Sequence, residues 1–215
     1  MLARLLAALA MLLSPPASFH SSVTPVPKSV RAELRASGFY SAGCPVPMSS
    51  LRVLTVSYRD FHGRTLPGQL VVNQSAARPL ARVFRRLYAM HFRIRHMTLA
   101  AIYGSRRDRP ADGDVTASFE CRQAAASPCV GRVRTGSWSM HAYGLAVDIN
   151  PGENPYVGCG QSMDPSLRRY RVRTHRYKGM VGRRAIRAFA AIGWGWGGSW
   201  AGTTKDYMHF SSTGH

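Results

Sequence analysis

"LRVLTVSYRDFHGRTLPGQLVVN", Leu51–Asn73, decides the fold class. "LRVLTVSY" alternates apolar and polar residues with the period of a half-buried strand. "RDFHGRTLPG" supplies turn-forming residues, and "QLVVN" reads as a second short strand, so the stretch predicts a β-hairpin. Directly after it, "AARPLARVFRRLYAMHF" places Leu80, Val83, Phe84, Leu87 and Tyr88 at helical spacing, with arginines on the opposite face. "MTLAAIYG" reads as a buried strand and "YGLAVDI" as another, the latter closed by the turn residues of "NPGENP". "GRRAIRAFAAIG" predicts an amphipathic helix stopped at Gly193. "WGWGGSWAG" reads as an aromatic, glycine-rich loop leading into a last strand, "DYMHF". Helices and strands do not alternate regularly, which disfavours a doubly wound parallel sheet. The expected class is α+β, a mainly antiparallel sheet with packed helices.

Outside this region the chain reads as processing segments. "MLARLLAALAMLLSPPAS" has one basic residue, an apolar run from Leu5 to Leu13, then small residues and prolines, the layout of a secretory signal peptide over 1–18. That run is too short to span a bilayer as a helix, and no later segment is long and apolar enough to do so. Residues 19–43, with a short helix-like piece "SVRAELRASG" ending at Gly38, read as a leader onto a domain covering 44–215. The expectation is therefore an exported protein with no membrane span once the signal is removed. Cys44, Cys121, Cys129 and Cys159 fit that compartment as two disulfides, with three connectivities open. None lies in a C-x-x-C pair, which argues against a structural zinc knot.

Formal net charge is +19 over 215 residues, mostly arginine distributed along the chain. Such a field concentrates a protein on polyanions, and for an exported chain an anionic cell envelope is the nearer one. Arginine richness is equally what a GC-rich genome produces. No nucleic-acid-reading motif is present, so a specific nucleic-acid partner is not expected.

The chemistry-bearing residues lie in "WSMHAYGLAVDIN", Trp138–Asn150, and "KDYMHF", Lys205–Phe210. His141 and Asp148 are both good ligands for a borderline divalent metal such as zinc. Asp148 sits within an apolar strand, where an unpartnered carboxylate is costly. His209 adds a third ligand from a distant strand, matching the three-ligand, one-water arrangement of catalytic zinc, which brings the water's pKa to about 7. Asp206 is a candidate general base; Glu153 and Asp114 are alternatives that do not neighbour a proposed ligand in sequence. An arginine is wanted to stabilise an oxyanion, with Arg122 first and Arg106 second.

"SMHAYGLAVD" resembles the S-x-H-x-x-G-x-A-x-D signature of the zinc D-alanyl-D-alanine carboxypeptidase family, peptidase family M15, the VanY-like and endolysin-type group. "KDYMHF" resembles its second motif, an acidic residue three before a ligand histidine. "GCPVPMSSLRVLTVSY", "LVVN", "VFRRLY", "TASFECR" and "HAYGLAVDINPGENPYV" resemble further blocks in order, so the similarity runs from about Cys44 to Phe210. It implies a Hedgehog/DD-peptidase-like fold and one zinc ion on His141, Asp148 and His209. It further implies Asp206 as base and then acid to the leaving amine, Arg122 as the carbonyl-polarising group and Ser139 as a substrate contact. Many relatives carry an acidic residue after the second "HF", where this chain has Ser211. The expected activity is hydrolysis of peptidoglycan stem peptides by a wall-associated monomer. The alternatives are an endopeptidase of L-Ala-D-Glu type and a non-catalytic wall-binding module.

Overall fold

The computed structural model describes residues 18–124, 136–162 and 164–215. The segment 1–17 of the expected signal peptide, and Cys129, lie outside the described residues.

The hairpin forms as read: β2 (Leu51–Arg59) pairs antiparallel with β3 (Thr65–Asn73), from Leu51 opposite Asn73 to Arg59 opposite Thr65. The turn is shorter than the sequence suggested, because Thr65–Gly68 is already strand. Residues 19–43, read as a leader, contain the expected helix and also a strand. β1 (Ser21–Pro25) adds antiparallel to the outer edge of β2, and α1 (Lys28–Ala36) buries Leu34 completely.

α2 (Gln74–Ala89) starts where the Asn73 side chain accepts a hydrogen bond from Ser75 N at 3.1 Å, a normal N-cap. It lays Leu80, Val83, Phe84 and Leu87 on β2 and leaves Arg78, Arg82, Arg85 and Arg86 in solvent. "MTLAAIYG" departs from its reading as a strand. It forms the short helix α3 (Leu99–Tyr103), because Thr98 Oγ1 caps Ala101 N at 3.2 Å and a continuous apolar run has no period of its own to resist it.

The second half is assembled from short strands. β4 (Ala146–Asp148), β5 (Tyr156–Gly158) and β6 (Gln161–Ser162) are followed by the helices α4 (Arg168–Arg171) and α5 (Arg183–Ala190), then β7 (Gly195–Trp196), β8 (Lys205–Asp206) and β9 (His209–Ser211). They form two small sheets in the orders β4-β9-β7 and β6-β5-β8. All pairs between these strands are antiparallel, so the class is α+β. α5 fastens β9 to the core, with Phe189 stacked on Phe210 at 3.8 Å between ring centroids.

Two buried asparagines clamp the turn after β4. Asn150 bonds the carbonyls of Arg93 and Gly179 and the amide of Arg95. Asn154 bonds the carbonyls of Ile149 and Gly179 and the amide of Val181. Cys44 and Cys121 form a disulfide that fixes the segment before Arg122, and Cys159 is disulfide-bonded as well. Among the described residues no helix is long and apolar enough to cross a membrane.

Candidate metal centre

His141 rides on a single 3-10 turn, Met140–Tyr143. Ser139 opens the turn, its hydroxyl accepting from His141 N at 3.3 Å. Gly144 closes it with φ of +66°, a conformation that a side chain resists. A Cβ at Gly144 would also stand 2.6 Å from Asn73 N. That close approach lets the end of β3 grip the turn: Asn73 N donates to Gly144 O and Asn73 Nδ2 to Tyr143 O, at 2.9 and 3.0 Å.

The imidazole is then aimed from behind. His141 Nδ1–H donates to the Ser118 carbonyl, which leaves Nε2 as the ring's lone pair. Ser118 belongs to an extended rib whose neighbour Ala117 bridges Asp148, with N–O distances of 2.9 and 3.1 Å. β4 is thereby held between this rib and β9, where Asp148 stands directly opposite His209.

Three ligand atoms converge. His209 Nδ1 lies 3.1 Å from Asp148 Oδ1, His141 Nε2 lies 3.2 Å from His209 Nδ1, and His141 Nε2 lies 3.3 Å from Asp148 Oδ1. A tetrahedral ion with bonds of about 2.0 Å sets its ligand atoms roughly 3.3 Å apart. The donor set and its spacing therefore fit a small divalent cation, and among the described residues this is the group of His, Cys, Asp and Glu side chains close enough to hold one. His209 Nε2 is buried without a hydrogen bond.

The electrostatics concentrate on the carboxylates. Burial raises the Asp148 pKa, but the charges and hydrogen bonds of His141 and His209 outweigh it and hold the group well below the usual carboxylate range. Burial also opposes charging of His141, and the Asp148 carboxylate more than reverses this, raising the imidazole pKa. Asp206, on β8 opposite Tyr156, is pushed up to about 7, first by burial and then by the charge of Asp148. Its Oδ1 is buried and unpaired. The aromatic loop packs directly over it: a Cβ at Gly197 would lie 2.5 Å from Asp206 O, while Trp196 Nε1 donates to Tyr207 O at 2.9 Å.

The other sequence candidates separate clearly. Arg122 Nε pairs with Glu120 at 2.8 Å, and its positive charge reaches both His141 and Asp206. Arg106 stands in an exposed turn after α3. Glu153 and Asp114, the alternative bases, both engage the Arg95 guanidinium and stand outside the metal-ligand group. Ser139 gives a hydroxyl lone pair to the turn that carries His141. Sequence reasoning missed the Ser118 carbonyl and the two buried asparagines. A backbone carbonyl leaves no trace in residue type, but Asn150 and Asn154 stand in "NPGENP", where the prolines and glycine account for the turn and give the asparagines no role.

Residues 133–212 match the family model described as D-alanyl-D-alanine carboxypeptidase. This segment holds all three converging ligands, Asp206 and Ser139, and stops short of Arg122. No match is found among curated proteins or among solved structures.

Proposed function

Starting from the match of residues 133–212 to the D-alanyl-D-alanine carboxypeptidase family model, we propose that the chain is an M15-type, exported zinc peptidase hydrolysing peptidoglycan stem peptides. The carrying observation is the convergence of His141 Nε2, Asp148 Oδ1 and His209 Nδ1 beside the buried, unpaired Oδ1 of Asp206. Zinc is the metal best suited to two imidazoles and one carboxylate in a tetrahedral set, and when bound it supplies Lewis acidity that activates water near neutral pH and polarises a carbonyl.

The chain's own residues do the rest. Asp206, deprotonated, takes the proton of the attacking water on its carboxylate and later delivers it to the nitrogen of the leaving amine. Burial keeps that carboxyl basic enough for the task, since a carboxylate at its ordinary pKa is a poor proton acceptor. Arg122 places a positive charge where the carbonyl oxygen turns negative. Ser118 and Ser139 hold the His141 ring and turn so that these groups need not reorganise during reaction. Ser139 also remains the proposed substrate contact, with its hydroxyl at the start of the turn.

Export is supported by the Cys44–Cys121 disulfide, which suits an oxidising compartment, and by the signal-like start of the chain. The anionic cell wall is the proposed partner. Incubating purified muropeptides with the protein, with and without chelator, and weighing the products tests the reading. Chelator-sensitive loss of a terminal D-alanine supports the carboxypeptidase form, and internal cleavage supports the endopeptidase form. Intact muropeptides at full zinc occupancy reject both.

A further inference from the structure

α2 and α5 pack side by side, and between them runs a cleft of about 560 Å³ lined by Arg86, Arg184 and Arg187 over a floor of Ala89, Met90 and Ala188. All three arginines are exposed, and none forms an ion pair with an acidic residue among the described residues. Neither helix contains an Asp or Glu. The whole chain has 10 acidic against 29 basic residues, so a counter-charge for this cleft has to come from another molecule.

Placement makes the cluster costlier than ordinary surface arginine. α5 is preceded by Gly182 at its N-cap, with no side-chain cap and no acidic residue in its first turn, and Arg184 sits in that turn instead. The exposed N–H groups there carry partial positive charge, so a guanidinium at this end opposes the helix dipole. Arg187 and Arg86 add like charge across the cleft. A local choice that works against the fold is the kind retained for binding.

We propose that this cleft docks the phosphate groups of a polyol-phosphate polymer of the cell envelope. Guanidinium groups match phosphate oxygens in planar, bidentate fashion. The floor of Ala89, Met90 and Ala188 can take the C–H face of a polyol between phosphates, with its hydroxyls left in solvent. Nucleic acid carries the same phosphodiester, but binding of single strands relies on aromatic side chains that stack bases, and the lining contains none. The assignment deepens the wall-directed reading above. Its test involves no hydrolysis, so either can fail while the other stands.

The test measures affinity of the full secreted chain for a labelled glycerol-phosphate oligomer at several salt concentrations. The variant R86Q/R184Q/R187Q is compared with K28Q/R107Q/R109Q, which removes the same charge from exposed sites elsewhere. The cleft variant is expected to bind about ten-fold more weakly and to lose about two to three units of salt slope, while the control changes little. Hydrolysis of soluble muropeptides stays unchanged in both. Arg184→Gln alone is expected to weaken binding a few-fold and to raise the melting temperature, by relieving the helix end. Equal losses in the two triple variants, or none in either, overturn the assignment in favour of diffuse charge. An oligothymidine of equal charge that binds as tightly and depends equally on the cleft overturns the choice of polymer.

Discussion

Asp148 and His209 stand directly opposite each other on β4 and β9, with Oδ1 and Nδ1 3.1 Å apart. Strand register thus brings two candidate ligands together at once, and a slip of one residue would put their side chains on opposite faces of the sheet. The third ligand, His141, reaches the same point from a separate turn. Metal binding should therefore respond to both supports, the strand pair and the turn.

The strand support is α5. Phe189 is fully buried against Phe210, the neighbour of His209. Phe189→Ala is expected to cost about 3–5 kcal/mol of stability, as large-to-small core changes do. Zinc should partly rescue it, because a ligand bound only by the folded state adds to stability. Thermal melts with and without zinc measure both effects; a variant as stable as wild type contradicts the packing role.

Gly144 is the turn support. Gly144→Ala forces a side chain into φ +66° and against Asn73 N. A loss of at least about 2 kcal/mol is expected from strain and contact together, with weaker zinc binding because the turn carries His141. Calorimetric titration of zinc into the variant checks it, and unchanged affinity would detach the turn geometry from the site.

The Cys44–Cys121 bridge closes a loop of sequence separation 77. Replacing both cysteines with serine is expected to lower stability by about 2–4 kcal/mol. Denaturant midpoints for the oxidised wild type and the double variant provide the measurement.

How much of this was legible beforehand follows from where the information sits. The hairpin, α2 and the His141, Asp148 and His209 set were readable because periodicity and residue type encode them. α3 was misread because an apolar run fits strand and helix equally until a cap such as Thr98 decides. The roles of Ser118 and Asn73 were invisible, since Ser118 acts through its carbonyl and Asn73 through its amide N–H and side chain, each on a partner far along the chain. Residues 19–43 looked like a lead-in because their strand is exposed and polar, yet it pairs over its whole length with β2.

The pH dependence follows from Asp206. A base works deprotonated, so activity should rise with pH through its pKa and fall on the acid side. The carboxyl stands at about 7, raised from 3.8 by burial and the Asp148 charge; a cation at Asp148 offsets that charge and moves the limb downward. In the metal-free protein the same shift makes the folded state hold a proton that the unfolded chain has released. This group's contribution to stability therefore declines as pH rises from about 4 to about 7. A profile of kcat/KM flat from about pH 4 to 8 contradicts the assignment.

Asp206 is also where the central claim is most exposed. Asp206→Asn keeps the side chain's shape and leaves the three ligands in place, so the purified variant should carry one zinc per chain, as wild type should. Its turnover of purified stem peptide, followed by mass spectrometry, should fall by about 10²–10⁴-fold, the usual contribution of a general acid–base group. Zinc at full occupancy with turnover equal to wild type in Asp206→Asn, or wild type that hydrolyses the peptide without stoichiometric metal, contradicts the account.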